Sequence, residues 1–162
     1  MKKLLLTTAL LGSMFANELP EEFNRDLYNQ GEKVFENKCM ECHQKSMPIP
    51  LLMKNFIEEN NKTLKLKAPT GNEISFRLKQ QVGHKEDMEF HLIQTNDFLK
   101  DYLFNPNLAK TICLEGVIKH FEVMPSMKDK ITEEEIEEVN HFLYFLEGFN
   151  GINEYYHDET KF

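Results

Sequence analysis

Residues 39–43 read Cys-Met-Glu-Cys-His. Its two cysteines stand three positions apart, so both thiols lie on one side of a helical turn and each can add to one vinyl group of a haem. Covalent attachment through Cys39 and Cys42 then holds His43 beneath the iron as the proximal ligand. The sequence therefore predicts one covalently bound haem c.

Two other kinds of site share part of this pattern. A thioredoxin-like redox pair also reads Cys-x-x-Cys, but it should follow a strand, whereas the residues before Cys39 have a helical pattern. A zinc site needs two further ligands at short spacing, and none stands near His43. The third cysteine, Cys113, lies between two apolar residues, which predicts a buried and inert thiol.

Residues 1–16 have the pattern of a secretory signal peptide. Two lysines precede an apolar run at residues 4–11, and small residues lead to Ala16. The apolar run is short for a membrane span. We expect cleavage after Ala16 to leave residues 17–162 as a single periplasmic domain without a transmembrane span. The haem-attachment machinery acts in that compartment. The alternative is an uncleaved amphipathic or buried first helix.

The charge of the chain limits its partners. The formal net charge is -8 over 162 residues, and loss of the two leader lysines makes the mature chain more acidic. Phosphate binding needs a basic face, so nucleic acid is a poor partner. We expect redox partner proteins with basic docking surfaces. The plainer alternative is that the carboxylates only keep the protein in solution.

Helical patterns occupy both ends of the mature chain. The first spans residues 21–38 and places five residues on one face: Phe23, Leu27, Gly31, Val34 and Phe35. The second begins with a capping box at residues 132–135 and is expected to stop at Gly148. Its apolar stripe comprises Ile136, Val139, Phe142, Leu143 and Leu146. Between them we predict turns at 60–62 and 70–72 and short helices at 73–81 and 96–104.

These ends carry a family resemblance. Gly31 stands eight positions before Cys39, Phe35 stands four before it, and the last helix has Phe142 in the form Val-x-x-Phe-Leu. This resembles the class I cytochrome c family, in which a glycine of the first helix packs against an aromatic residue of the last. The resemblance covers about residues 21–47 and 117–147. It implies a mostly α fold, with N- and C-terminal helices crossing around the haem, and electron transfer without catalytic residues.

The same resemblance points to a sixth iron ligand. Met124 precedes Pro125 just ahead of the capped last helix, like the Met-Pro loop that supplies the family's distal ligand. Met127 and His120 are the other candidates, and filling of the core is the usual role of a methionine. The family often uses a proline carbonyl to hold the second nitrogen of the proximal histidine. Three prolines remain candidates for that role: Pro48, Pro50 and Pro69.

The chain departs from the family pattern in its middle. Gln44 replaces a glycine that often follows the haem histidine, and residues 48–116 form an enlarged middle region. A segment bounded by His84 and His91 is rich in charge, and we expect a solvated acidic segment there rather than a metal loop. The alternative function is a haem-based ligand sensor, or the cytochrome subunit of a larger oxidoreductase, with a displaceable sixth ligand.

Overall fold

The computed structural model describes residues 19–146, which contain six α-helices and no strand. The helices are α1 Arg25–Lys38, α2 Ile49–Met53, α3 Gly71–Gln81, α4 Met88–Phe104, α5 Glu115–Ile118 and α6 Glu133–Phe145. A π-helical turn, Lys54–Glu58, continues α2, and a 3-10 turn, Leu108–Lys110, precedes α5. The prediction of a mostly α fold is confirmed. The leader at 1–16 and Gly148 lie outside the described residues.

Helix α1 begins at Arg25, directly after its N-cap residue Asn24. The side chain of Asn24 accepts hydrogen bonds from the backbone N–H groups of Asp26 and Leu27, so the helix starts later than residue 21. At the other end the amide of Cys39 donates to the Phe35 carbonyl at 2.9 Å. The amide of His43 donates in turn to the Cys39 carbonyl at 2.9 Å. The cysteine motif is therefore one more turn of backbone directly after α1.

The terminal helices α1 and α6 pack closely against each other. A Cβ atom added to Gly31 would collide with the Glu138 carbonyl oxygen and lie 2.8 Å from the Phe142 Cβ atom. The rings of Phe35 and Phe142 lie 5.4 Å apart, and both side chains are almost fully buried. The predicted contact between the glycine of the first helix and the aromatic residue of the last is present. Only a glycine permits this approach of the two backbones.

A second tie joins the end of α1 to the start of α6. The Lys38 ammonium donates to the Glu135 carboxylate and to the Lys130 carbonyl, each at 2.7 Å. The α6 capping box is present as predicted, because Thr132 and Glu135 bond reciprocally. The helix ends at Phe145, three residues before the glycine at which its end was expected.

Two apolar clusters form the interior. The main cluster joins α1, α3, α4 and α6 and comprises Val34, Phe35, Leu78, Val82, Leu99, Ile131, Ile136, Val139, Phe142, Leu143 and Leu146. A smaller cluster contains Ile49, Leu52 and Phe56, with Val117 and Phe121 packed against it. The second cluster joins α2 and its π-helical extension to the segment that leads towards Met124. No helix among residues 19–146 is long and apolar enough to cross a membrane.

The predicted first residues of two helices in the middle region were wrong. Residues 70–72 are not a turn, because Thr70 caps α3 and the helix begins at Gly71. Helix α4 begins at Met88 rather than 96, since the Asp87 carboxylate caps it by accepting from the Phe90 amide at 2.9 Å. The turn at 60–62 is present, with φ of 50° at Asn60.

The prediction of a solvated segment between His84 and His91 was wrong for His91. His84 is exposed, but His91 is only 2% exposed. Its Nε2–H donates to the Val82 carbonyl at 2.8 Å, and its Nδ1 accepts from the Tyr144 hydroxyl at 2.9 Å. Both ring nitrogens are thus hydrogen-bonded inside the protein. This arrangement differs from the prediction because α4 begins before His91 and includes it.

The close approach at Gly31 generates a stability prediction. Gly31→Ala should lower the free energy of unfolding by about 1–3 kcal/mol or more, because the new methyl group meets backbone rather than a movable side chain. Gly116→Ala in α5 is the matched control, since nothing lies within 4 Å of its added Cβ. The control should be neutral or slightly stabilising. Chemical denaturation of both variants measures the difference, and equal stabilities would contradict the assigned helix contact.

Candidate functional site

The two motif cysteines differ in their surroundings. Cys39 is half-buried and packs against the main cluster, whereas Cys42 is exposed, and neither forms a disulfide. Burial raises the pKa of the Cys39 thiol to about 11, with Lys38 opposing the shift. A thioredoxin-like pair needs a thiol with a lowered pKa. The direction of the shift at Cys39 therefore disfavours the redox-pair alternative.

The imidazole of His43 is held by one backbone group. Its Nδ1 lies 2.7 Å from the Pro69 carbonyl oxygen. A carbonyl oxygen can only accept, so Nδ1 carries the hydrogen and the lone pair of a neutral ring is on Nε2. Burial lowers the pKa of His43, and the bond to Pro69 opposes that shift. The ring is thus arranged as a neutral ligand with Nε2 available for a metal.

The structure selects Pro69 from the three candidate prolines. Pro48 caps α2, where its carbonyl accepts from Leu51 and Leu52, and Pro50 stands in the first turn of the same helix. The partner of His43 therefore comes from inside the enlarged middle region.

The Pro69 carbonyl is fixed by the start of α3. The Gly71 amide donates to the Gln44 carbonyl at 2.8 Å, and the Asn72 amide donates to the Lys45 carbonyl at 3.1 Å. A Cβ atom on Gly71 would lie 2.6 Å from the Lys45 oxygen, so the two backbones touch. The segment after His43 and the first turn of α3 form one unit.

Side chains of the same turn complete this unit. Asn72 clamps Met47, donating from Nδ2 to its carbonyl at 2.9 Å and accepting from its amide at 3.3 Å. The Thr70 hydroxyl oxygen lies 2.6 Å from Asn72 Oδ1 and 2.9 Å from Glu73 Oε2. All three polar side chains are buried. Lys45 ties the loop to α1 through ion pairs with Glu32 and Glu36, at 2.7 and 2.9 Å.

Sequence reasoning missed the four residues that follow Pro69: Thr70, Gly71, Asn72 and Glu73. The sequence does contain a signal for a helix start here, because Thr-x-x-Glu is a capping-box pattern. The same pattern predicts the start of the last helix at residue 132. The glycine and asparagine between the two capping residues instead suggested a turn. What the pattern could not give is the partner of this turn, which lies 26 positions earlier in the chain.

The three distal candidates lie on the segment between α4 and α6 but have different surroundings. Met127 packs against the main cluster, and its amide donates to the Leu103 carbonyl at 2.8 Å. The ring of His120 stacks on Phe56, and its Nε2–H donates to the Phe56 carbonyl at 3.1 Å. Both residues thus have structural partners of their own.

Met124 is half-buried and belongs to neither apolar cluster. The loop that carries it is anchored on both sides. Before it, the Phe121 ring meets the Phe56 ring edge to face at 5.7 Å. After it, the Ser126 hydroxyl donates to the Phe104 carbonyl at 2.7 Å. Met124 therefore lies in a short, fixed loop without a packing role in either cluster.

Cys113 is the cysteine outside the motif at residues 39–43. Cys113 is half-buried, and burial raises the pKa of its thiol to about 11. A protonated, partly covered thiol is a poor nucleophile. Among residues 19–146 no group of three or more His, Cys, Asp or Glu side chains could hold a metal ion.

The chain is similar to a protein of another organism. The chain is 31% identical over 145 residues to an uncharacterized protein of Aquifex aeolicus (strain VF5), and the alignment covers 89% of this chain and 87% of that protein. The chain belongs to the same family as that protein. No family model matches the chain, and no solved structure matches it. The shared sequence spans most of both proteins and therefore includes the greater part of the fold described above.

The clamp on Met47 generates a second stability prediction. Asn72→Ala should lower the free energy of unfolding by about 1–3 kcal/mol, because it removes both bonds to the half-buried Met47 backbone and the closer of the two hydrogen-bond partners of the buried Thr70 hydroxyl. The exposed Asn105 provides a matched control, and Asn105→Ala should change stability by less than about 0.5 kcal/mol. Urea denaturation measures both. A neutral Asn72→Ala would show that this turn does not hold the loop.

Proposed function

We propose that this chain is a periplasmic monohaem c-type cytochrome that transfers single electrons between redox partner proteins. The observation that carries the proposal is the hydrogen bond from His43 Nδ1 to the Pro69 carbonyl, directly after the two cysteines. That bond orients the ring and leaves Nε2 as a free ligand atom. A bond of this kind behind a metal-binding histidine is the usual way in which proteins fix its tautomer.

The residues present fit a covalently held haem. Cys39 and Cys42 are both free thiols in the turn that ends with His43, as attachment at two vinyl groups requires. Met124 belongs to neither apolar cluster, whereas Met127 packs against the main cluster. Bound at these residues, the haem would supply a one-electron couple whose potential is raised by a His/Met ligand pair.

The rest of the chain orients and shields the site. Phe35 lies between the α1–α6 contact and the site, with its ring 5.4 Å from Phe142 and 6.5 Å from His43. Cys39 also packs against the main cluster, so apolar side chains border the site on this side. The bond to the Pro69 carbonyl opposes rotation of the His43 ring, and the backbone bonds of Gly71 and Asn72 to the segment after His43 hold that carbonyl in place.

A second function is favoured by the same loop that favours Met124. Because Met124 packs into neither cluster, few contacts oppose its displacement by an external ligand. A haem-based ligand sensor, or a cytochrome subunit of a larger oxidoreductase, would use such a ligand. Electron transfer remains the primary proposal, since the loop is anchored at Phe121 and Ser126.

The first test of the proposal is retention of haem. Protein made with the haem-attachment machinery should keep its haem through denaturation and acid-organic extraction, and Cys39→Ala combined with Cys42→Ala should abolish this retention. Cys113→Ala is the matched control, because it removes a thiol outside the motif, and it should retain haem fully. Peroxidase staining of a denaturing gel reads out all three proteins. Haem that extracts freely from the unaltered chain would refute covalent attachment.

The second test separates the carrier from the sensor. Met124→Leu should convert a six-coordinate low-spin haem into a form that is high-spin or binds water, lower its potential, and open it to carbon monoxide. Met127→Leu keeps the apolar contact with the main cluster and should leave the spectrum nearly unchanged. The charge-transfer band of methionine-ligated ferric haem is the readout. Loss of the band only in Met127→Leu would transfer the role to that residue, and its absence from the unaltered chain would favour the sensor.

A further inference from the structure

Glu73 is a buried carboxyl group two hydrogen bonds away from His43. Its Oε2 atom accepts from the Thr70 amide at 2.8 Å, and its side chain is 8% exposed. The Thr70 amide and the Pro69 carbonyl belong to the same peptide group. One peptide group therefore connects the Glu73 carboxyl on one side with His43 Nδ1 on the other.

A count of hydrogens assigns the protonation state of Glu73. Asn72 Oδ1 is an acceptor, because the amide faces Met47 with its nitrogen on the carbonyl and its oxygen on the N–H. The Thr70 hydroxyl has a single hydrogen, and its shorter contact is the 2.6 Å one to Asn72 Oδ1. Thr70 Oγ1 lies at donor distance from both Asn72 Oδ1 and Glu73 Oε2 but has one hydrogen, so a hydrogen on the Glu73 carboxyl would complete the 2.9 Å contact.

An ionised Glu73 would break this chain of bonds. Two oxygen atoms at hydrogen-bond distance would face each other without a hydrogen between them, in a place where water does not reach. Burial also raises the pKa of the Glu73 carboxyl, although its contacts with the amide and the hydroxyl of Thr70 oppose the shift. Geometry and burial thus favour the neutral acid.

The charged and titratable groups around Glu73 come from three elements. Cys113, on the segment after the 3-10 turn, is close enough to interact with it electrostatically. Arg77 lies one turn further along α3 and donates from Nε to the Ile112 carbonyl at 2.7 Å. Lys45, on the loop over the start of α3, pairs with two glutamates of α1. Helix α6 brings the apolar Leu146 to this turn.

We propose that Glu73 is a neutral carboxylic acid at neutral pH and that its ionisation is coupled to oxidation of an iron bound by His43. This second half rests on the proposed function. Glu73 releases its proton to solvent when one electron leaves the site for a redox partner, since the new carboxylate balances the positive charge that remains. The carboxylate also polarises the Pro69–Thr70 peptide, which strengthens the pull of its carbonyl on the Nδ1 hydrogen of His43. Glu73 is therefore a positioning residue that acts through this peptide.

The protonation half is tested by carbon-13 NMR of labelled glutamate in the protein as isolated. The Glu73 side-chain carboxyl should titrate with a midpoint above the ordinary value of about 4.3 and remain neutral at pH 7. Glu135 is the matched control, because it occupies the same position in the other capping box but pairs with Lys38, which lowers its pKa. A Glu73 carboxyl that is ionised at pH 7 would overturn the assignment.

The coupling half is tested by the reduction potential as a function of pH. In the unaltered holoprotein the potential should fall as pH rises through the Glu73 midpoint. In Glu73→Gln, which keeps the shape and the neutral charge, it should stay level and match the unaltered protein at low pH. Glu135→Gln should leave the pH dependence intact.

Two further outcomes would contradict the coupling. A Glu73→Gln potential displaced equally at every pH would indicate a purely structural role and overturn the coupling. A chain that retains no haem refutes the proposed function and the coupling together, while the NMR midpoint still decides whether Glu73 is neutral.

Discussion

Helices α1 and α6 meet at Gly31 with no side chain between their backbones. Because this glycine has no side chain, the backbone of α1 approaches the Glu138 carbonyl, and Phe142 reaches both Tyr28 and Phe35. Helix α1 then delivers the cysteine turn at a fixed place relative to the main cluster. The Lys38 bonds to Glu135 and Lys130 hold the end of α1 beside the start of α6. The position of the cysteine turn and of His43 thus follows from the packing of α1 against α6.

A single peptide group, Pro69–Thr70, is the second constraint. It accepts from His43 and donates to Glu73, and its own position is set by the backbone bonds of Gly71 and Asn72 to the segment after the histidine. None of these contacts requires a long flexible side chain. Buried, fully bonded polar groups specify one arrangement more sharply than apolar contacts do, because each misplacement leaves a group without a partner. Among residues 19–146, the surroundings of His43 are therefore held by several mutually dependent polar contacts.

The sequence alone predicts those features that have a local signal. The apolar stripe from Ile136 to Leu146 and the Thr132–Glu135 box gave the last helix, and the contact of Gly31 with Phe142 followed from family resemblance. Long-range pairings have no such signal. The spacing of three prolines does not identify Pro69 as the partner of His43. The charged residues around His91 predict exposure, but its hydrogen-bond partners Val82 and Tyr144 come from other parts of the chain and bury it. Thr-Gly-Asn at residues 70–72 predicts a turn, because glycine and asparagine outweigh the capping pair of Thr70 and Glu73, but the helix begins at Gly71.

The enlarged middle region is part of the core rather than an appendage. It supplies Pro69, the partner of His43, and its helices α3 and α4 contribute Leu78 and Leu99 to the main cluster. Its earlier part supplies Phe56, on which His120 stacks and Phe121 packs, so it also supports the loop that carries Met124. Both faces of the candidate site thus depend on residues 48–116. A change in this region would be transmitted to His43 through the Pro69 carbonyl and to the Met124 loop through Phe56, although it contains neither of the two proposed iron ligands.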